Sequence, residues 1–428
     1  MSSVNVNVHH VTRVEGHGNI VVNAENGEIK ECRFDVVEAP RFFEAFVRGR
    51  PYAEINHITS RICGICAVGH STTSAMATEK ALGVELTEQA TLLRKLLFHA
   101  EIIDSHVLHT YYLVAPDFFG AGSVIPLIAI NREVVERALR VKKLSGDLGA
   151  MVAGRHTHPV ALVVGGFTHT PKDQELRDMR KRLVAAREDM DASVELFGSL
   201  DWPKFERETE YISLTKNDEY AFVGGRVKTS DGFEYPVEDY KKVTNEKCVP
   251  NSTAKWTHHN RDAYMVGALA RFNNNFGHLH PTAKEAAAKL GMEPIVINSY
   301  LNSAAQVVEM VHCIEDSIAI IDELLERGIK PEEPAEVKRL TGEGIASCDV
   351  PRGILFHHYK YEDGVCAEAN CIIPTNQNYS NLNADMKALA PQIIDQPEDD
   401  IRLAMEMLVR AYDPCISCST HYLDIEFV

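Results

Sequence analysis

The sequence predicts an α+β protein with a large helical-bundle core and peripheral antiparallel strands. Three observations carry that prediction. Long stretches repeat apolar residues at three- and four-residue steps, the period of a helix with one buried face. Shorter stretches near the start, at 219–240 and at 352–375 read as strands around glycine-containing turns. The residues able to do chemistry lie at both ends of the chain, so those ends must pack as one unit.

Residues 4–38 alternate apolar and polar around Glu25-Asn26-Gly27-Glu28 and predict two or more antiparallel strands. A helix starts just after Cys66, which lies at its first turn, and runs to Leu82, where Gly83 stops it. From Glu85 to Val114, Leu92, Leu93, Leu96, Leu97, Ala100, Ile103 and Leu108 recur at helical steps, and Pro116 ends the pattern. Further helices are predicted at 128–150, 172–197, 282–290, 298–328 and 398–411. In 298–328, Val307, Met310, Val311, Ile314, Ile318, Ile321 and Leu324 supply the broad apolar face of a bundle core. Hairpins turn at Ser230-Asp231-Gly232 and Tyr361-Glu362-Asp363-Gly364. No internal repeat or linker interrupts the chain. Residues 1–428 therefore read as one integrated unit: strand-rich 1–60, helical core 67–200 and 282–330, strand insertion 205–250, hairpin 350–376, terminal helix and loop 398–421, and a tail at 422–428.

Hydrophobic content of 45% and charged content of 25% are those of a globular protein. A net charge of -17 disfavours nonspecific binding to nucleic acid or anionic lipid. No apolar run is long enough for a membrane span, and the first residues show no secretory signal, so the expected location is the cytoplasm. There, Cys-x-x-Cys pairs read as metal or redox sites rather than as structural disulfides. Cys32, Cys248, Cys313, Cys348, Cys366 and Cys371 lie singly, and their thiols read as small packing groups.

Two such pairs exist, Cys63/Cys66 and Cys415/Cys418, roughly 350 residues apart. Thiolates select zinc, copper(I), iron–sulfur clusters or nickel and iron. Spacing alone leaves open a shared four-thiolate site, two separate redox pairs, or unrelated cysteines. A shared site requires the whole fold to close around it.

The surrounding blocks narrow the choice. Arg61-x-Cys63-Gly64-x-Cys66-x-x-x-His70 and Asp413-Pro414-Cys415-x-x-Cys418-x-x-His421 resemble the two signature motifs of the nickel–iron hydrogenase large subunit. Arg13-Val14-Glu15-Gly16-His17-Gly18, Arg41-Phe42-Phe43-Glu44, Ser105-His106-Val107-Leu108-His109 with Ala115-Pro116-Asp117, Gly154-Arg155-x-x-His158-Pro159, Pro351-Arg352-Gly353 and Pro374-Thr375 resemble further blocks of that family, in its order. The resemblance implies a hydrogenase large-subunit fold and reversible heterolytic cleavage of H2. It implies a nickel held by all four cysteines, Cys66 and Cys418 bridging to an iron that carries carbonyl and cyanide, with Cys63 and Cys415 terminal.

The same resemblance makes Cys415 and Glu15 the first proton carriers. Arg352, beside Pro351, would hang over the metals, with Asp117 and Asp413 as carboxylates holding Arg352 and the cysteine loop. Thr375 would donate to a cyanide, and His70 would orient a cysteine. Ile65 and Pro116 fall where gas access is controlled. Glu44, the carbonyl of Cys371 and His421 would bind magnesium. An iron–sulfur small subunit is the implied partner, docked near the Cys63 loop. Further electron-transfer subunits (heterodisulfide reductase-like or flavin/NAD(P)-linked), nickel chaperones and an endopeptidase that removes the tail after His421 are implied as well. The length resembles the multimeric branch that includes the non-deazaflavin-reducing enzymes and the sulfhydrogenases. A regulatory hydrogen sensor and a zinc scaffold are the competing readings.

Overall fold

The computed structural model describes residues 4–420. Strands β1 (Val4–Val8), β2 (Gly18–Glu25) and β3 (Glu28–Val36) pair antiparallel. The β2–β3 turn uses Asn26 and Gly27 at φ 53° and 79°, the left-handed pair that a two-residue hairpin of matching twist requires. Helices α1 (Phe43–Val47) and α2 (Tyr52–Thr59) lead to the first cysteine loop, and α3 (Ala67–Leu82) leaves it, capped by Gly83. Helix α4 (Glu88–Val107) is N-capped by Thr87, whose hydroxyl accepts from Ala90 N at 3.0 Å.

Pro116 does not end this helical run. A π-helical stretch, Leu108–Val114, passes into α5 (Ala115–Phe118), where Pro116 sits in the first turn. The change of helical pitch restarts the hydrogen-bond ladder, so the missing proline donor costs little. The helix expected at 128–150 is two helices, α6 (Val124–Ile130) and α7 (Arg132–Ala153), because Asn131 breaks the run and caps the second. A short ribbon of β4 (Leu162–Val163) and β5 (Gly166–Phe167) precedes α8 (Asp173–Gly198).

The strand insertion contains β6 (Glu210–Thr215), β7 (Arg226–Thr229) and β8 (Glu234–Pro236), with the turn at 230–232 where the sequence puts it. Next come α9 (Tyr240–Thr244), β9 (Lys247–Val249), β10 (Ser252–Trp256) and β11 (Tyr264–Met265). Strand β10 joins the N-terminal sheet beside β3, giving the order β1-β2-β3-β10-β9, while β11 joins β6. The strands after β8 therefore extend the first sheet through β10 and β9, while β6, β7 and β8 form a second sheet with β11.

Helices α10 (Ala268–Asn275), α11 (Pro281–Lys289) and α12 (Asn302–Arg327) follow. The hairpin expected at 352–375 is a three-stranded sheet of β12 (Gly342–Val350), β13 (Gly353–Glu362) and β14 (Val365–Ile372). Val350 pairs with Gly353, so Pro351 and Arg352 form a tight turn. Helix α14 (Glu398–Ala411) lies where the sequence predicts it, whereas α13 (Pro374–Ile393) is an addition. The buried residues of α13 include Asn376, Gln377, Asn378, Asn381, Asn383 and Asp385, which interrupt the apolar pattern formed by Leu382, Met386, Leu389 and Ile393.

Helices α4, α7, α8 and α12 pack together as the bundle, α3 lies on β12 and β13, and α13 lies on β3. The main hydrophobic core draws residues from Val4 to Cys418, and a second, smaller one joins Ile212, Leu214 and Val227 to Ile354 and Phe356. Among the described residues no helix is long and apolar enough to cross a membrane.

Candidate metal centre

A 3-10 turn, Ser60–Ile62, delivers Cys63 in an extended conformation, and Cys66 is the N-cap of α3. Cys66 thus lies just before the first turn rather than on it. The amides of Ile65 and Cys66 both point at Cys63 Sγ, 3.3 Å away. At the other end, α14 stops at Ala411, Asp413 takes φ 49°, and Pro414 turns the chain toward Cys415. A second 3-10 turn, Ser417–Ser419, carries Cys418. Tyr412 anchors this loop to α13, its hydroxyl accepting from Asn381 Nδ2 at 2.7 Å.

All four sulfurs are buried and lie within 4.8 Å of one another. Cys63 and Cys415 Sγ are 3.4 Å apart. Hydrogen bonds from Cys415, Cys418 and Cys66 hold the Cys63 thiol well below its ordinary range, while burial pushes Cys418 well above it. The donor set fits a soft metal centre: four convergent sulfurs on two loops, with protons to release on binding.

Glu15 reaches this cluster through a backbone bridge to Cys415, with Ile416 N donating to Glu15 O at 2.9 Å. Gly16, at φ 84°, makes the approach possible, since a Cβ there would lie 2.8 Å from both Ile416 Cβ and Ser417 N. Glu15 Oε2 accepts from Ser417 N at 3.0 Å and from Cys415 Sγ at 3.3 Å. Thr375 Oγ1 accepts from Cys415 N at 3.1 Å, which leaves its own hydrogen free to donate.

Arg352 is buried in its turn. Its Nε donates to Asp413 O at 2.7 Å, one terminal nitrogen to Asp413 Oδ1 at 2.8 Å, and the other to Ser105 Oγ at 3.4 Å. The turn is backed by fully buried Arg271, which donates to Val350 O at 2.8 Å and Pro351 O at 3.1 Å and pairs with Glu309 and Asp349 at 2.6 Å. Asp413 also accepts from Gln306 Nε2 at 3.0 Å.

Asp117 does not hold Arg352. It pairs with Arg13 and, at 2.8 Å, with Arg410, tying the Glu15 segment to α14. The side chain from the 105–117 block that reaches Arg352 is Ser105, one helical face away from where the motif spacing pointed. The ring of His70 meets His357 Nε2 at 3.3 Å. Glu44 is buried, and its Oε1 accepts from Cys371 N at 2.7 Å, so two members of the expected magnesium site are adjacent. His421 and the tail lie outside the described residues.

Three residues at the site were missed. Arg41 binds both cysteine loops, donating to Ile62 O at 2.6 Å and to Ser417 O. Ser105 and Glu101 lie on α4, and with His109 they form a polar stripe at four-residue steps. Glu101 accepts from the start of α3, Ser105 touches Arg352, and His109 Nδ1 bonds Gln306, the partner of Asp413. Polar residues at i, i+4 and i+8 among the buried residues of this helical run were the available signal. Burial, with the charge of Cys63 next, pushes the Glu101 carboxyl well above its ordinary range.

This arrangement has close counterparts. A family model described as nickel-dependent hydrogenase matches residues 41–126 and 230–421, and a HoxL-like model matches residues 5–39. The chain belongs to the nickel-dependent hydrogenase family, as a catalytic large subunit with a nickel–iron centre. It is 34% identical over 419 residues to the Pyrococcus furiosus sulfhydrogenase 1 subunit alpha, covering 97% of each chain, and 32% identical to the sulfhydrogenase 2 subunit alpha of that organism, covering 97% of this chain and 98% of that one. A solved NAD+-reducing [NiFe]-hydrogenase superposes with a TM-score of 0.86 at 27% identity, over 97% of this chain and 99% of that one. A Ni-Fe-Se hydrogenase of Desulfovibrio vulgaris Hildenborough shares the fold, with a TM-score of 0.78 at 21% identity over 98% and 100% of the two chains.

Proposed function

We propose that this subunit cleaves and forms H2 reversibly and passes the electrons to an iron–sulfur small subunit. The observation that carries the reading is the Cys415 Sγ to Glu15 Oε2 contact of 3.3 Å, a thiol of the four-sulfur cluster in reach of a carboxylate. Cys63, Cys66, Cys415 and Cys418 would hold the nickel–iron centre, which would supply, with carbonyl and cyanide on its iron, the site where hydrogen is polarised. Cys415 takes the proton and hands it to Glu15 Oε2, a half-buried carboxylate already oriented by Ser417 N. Arg352, fixed by Asp413, sets a positive wall over the cluster, and Thr375 and Pro351 line the diatomic ligands.

Glu44, the Cys371 carbonyl and His421 hold magnesium in this reading, and the tail after His421 is removed by an endopeptidase once nickel is in place. Nickel chaperones would load the metal. The small subunit docks beside the Cys63 loop, where Arg41 binds Ile62 O and the neighbouring Phe42 and Phe46 are 37% and 55% exposed. Further flavin/NAD(P)-linked or heterodisulfide reductase-like subunits would take the electrons onward in the cytoplasm. The purified protein should contain one nickel and one iron per chain, with infrared bands of metal-bound carbonyl and cyanide and hydrogen-dependent dye reduction. Zinc alone would overturn the reading. Glu15→Gln should keep both metals while turnover falls on the order of 100-fold or more.

A further inference from the structure

The N-cap side chain of a helix ordinarily accepts a hydrogen bond from the second or third helical N–H. Cys66, the N-cap of α3, makes no such bond, because its sulfur is turned into the four-cysteine cluster. The first turn of α3 is satisfied all the same. Glu101, on α4 and 5% exposed, accepts from Val68 N at 2.6 Å with one oxygen and from Gly69 N at 2.9 Å with the other. These are the second and third residues of the helix. A Cβ on Gly69 would overlap Val350 Cγ1 and lie 2.8 Å from Glu101 Oε1, so glycine at 69 lets both β12 and the Glu101 carboxyl group come this close.

We propose that Glu101 is the positioning residue of the first cysteine pair: it caps α3 in place of Cys66 and thereby fixes where Cys66 presents its sulfur. The inference rests on the metal-site reading above. The geometry explains the residue type. Two neighbouring N–H donors need two acceptor oxygens held side by side, which a carboxyl group offers and a hydroxyl does not. A glutamine of the same size would turn its NH2 toward one of the two donors. Glu101 also shares its helix face with Ser105, which touches Arg352, so α4 sets the first cysteine pair and the arginine wall from one rigid element.

The test compares wild type with Glu101→Gln, by amide hydrogen exchange in metal-free and metal-loaded chains, by metal content, and by the infrared bands of the loaded chain. In wild type, the Val68 and Gly69 amides should exchange more slowly than Ala67 in the same turn. In the variant they should exchange at least about tenfold faster, nickel retention should fall, and the carbonyl and cyanide bands should move. Unchanged amide exchange overturns the proposal. Faster exchange with full metal content and unmoved bands also overturns it, since that is a cap without a positioning role. Should the variant fail to fold, wild-type exchange decides: Val68 and Gly69 as fast as Ala67 overturns the proposal, and slower exchange supports it. A chain that holds zinc in place of nickel would defeat the metal reading, while amide exchange in the metal-free chain would still judge the cap.

Discussion

Cys63 and Cys66 are placed by elements near them in sequence: the 60–62 turn, the start of α3, and Glu101 of the next helix. Cys415 and Cys418 are placed mainly by distant ones: Glu15, Arg41 on Ser417 O, and Arg352 and Gln306 acting through the neighbouring Asp413, with Thr375 at the start of α13 adding a nearer contact. The first loop can form from one stretch of chain. The second needs most of the fold in place, and each long-range contact must first offset the entropy of closing a long loop. The second pair is thus the closing step of the site, and it is where a small defect should cost most.

The strongest way to break the comparison is Asp413→Asn. Asparagine tolerates the left-handed backbone that Asp413 adopts, so the turn is kept while the charge and one of the two oxygens that accept from Arg352 and Gln306 are lost. Arg352 is then a buried cation without its carboxylate, which costs about 3–5 kcal/mol. Denaturant unfolding of the metal-free chain should show that loss, and proteolysis should open the chain near 412–420 before it opens near 60–66. Equal protection of both loops would erase the distinction between them.

How much of this was legible follows the same division. The first pair and α3 were readable because the relevant signals are local: a cysteine spacing, a helical period and a stopping glycine. The Asn26-Gly27 turn was readable for the same reason. Cys415 beside Glu15 was reached only through whole-block resemblance, since nothing within either segment shows the bridge that joins them. Within the 105–117 block, Asp117 pairs with Arg410 just before the second cysteine loop, while Ser105 is the residue that reaches Arg352, a division that charge and spacing do not reveal. Helix α13 escaped because its first turns bind loops through buried amides, for example Asn378 Oδ1 accepting from Val266 N at 2.9 Å, and its apolar packing begins only further along, with Tyr379, Leu382 and Met386. Arg41 binds carbonyl oxygens, which no side-chain pattern announces.

Acid supplies a smaller perturbation of the second region. His312 lies on α12, the helix that sends Gln306 to Asp413 and Glu309 to Arg271. Burial lowers its pKa to about 4, with Asp316 and Glu309 opposing and His99 and His280 adding to the shift. The unfolded chain takes up this proton near pH 6.5, so the contribution is present above 6.5 and lost as pH falls toward 4. The full loss is about 3 kcal/mol. Urea midpoints should therefore fall over that window, and His312→Gln should flatten the slope. An unchanged slope would remove this imidazole from the account.

The smallest change sharpens the comparison most, because it touches one bond of the second loop. In Thr375→Val the shape at 375 is kept while the acceptor of Cys415 N is removed. A buried N–H left without a partner costs about 1–3 kcal/mol. Amide exchange should speed up at Cys415 in the metal-free chain while Val68 and Gly69, capped by Glu101, keep their wild-type rates. If both loops loosened together, the two pairs would be one cooperative unit, and the order in which the site closes would have to be read from the metal rather than from the chain.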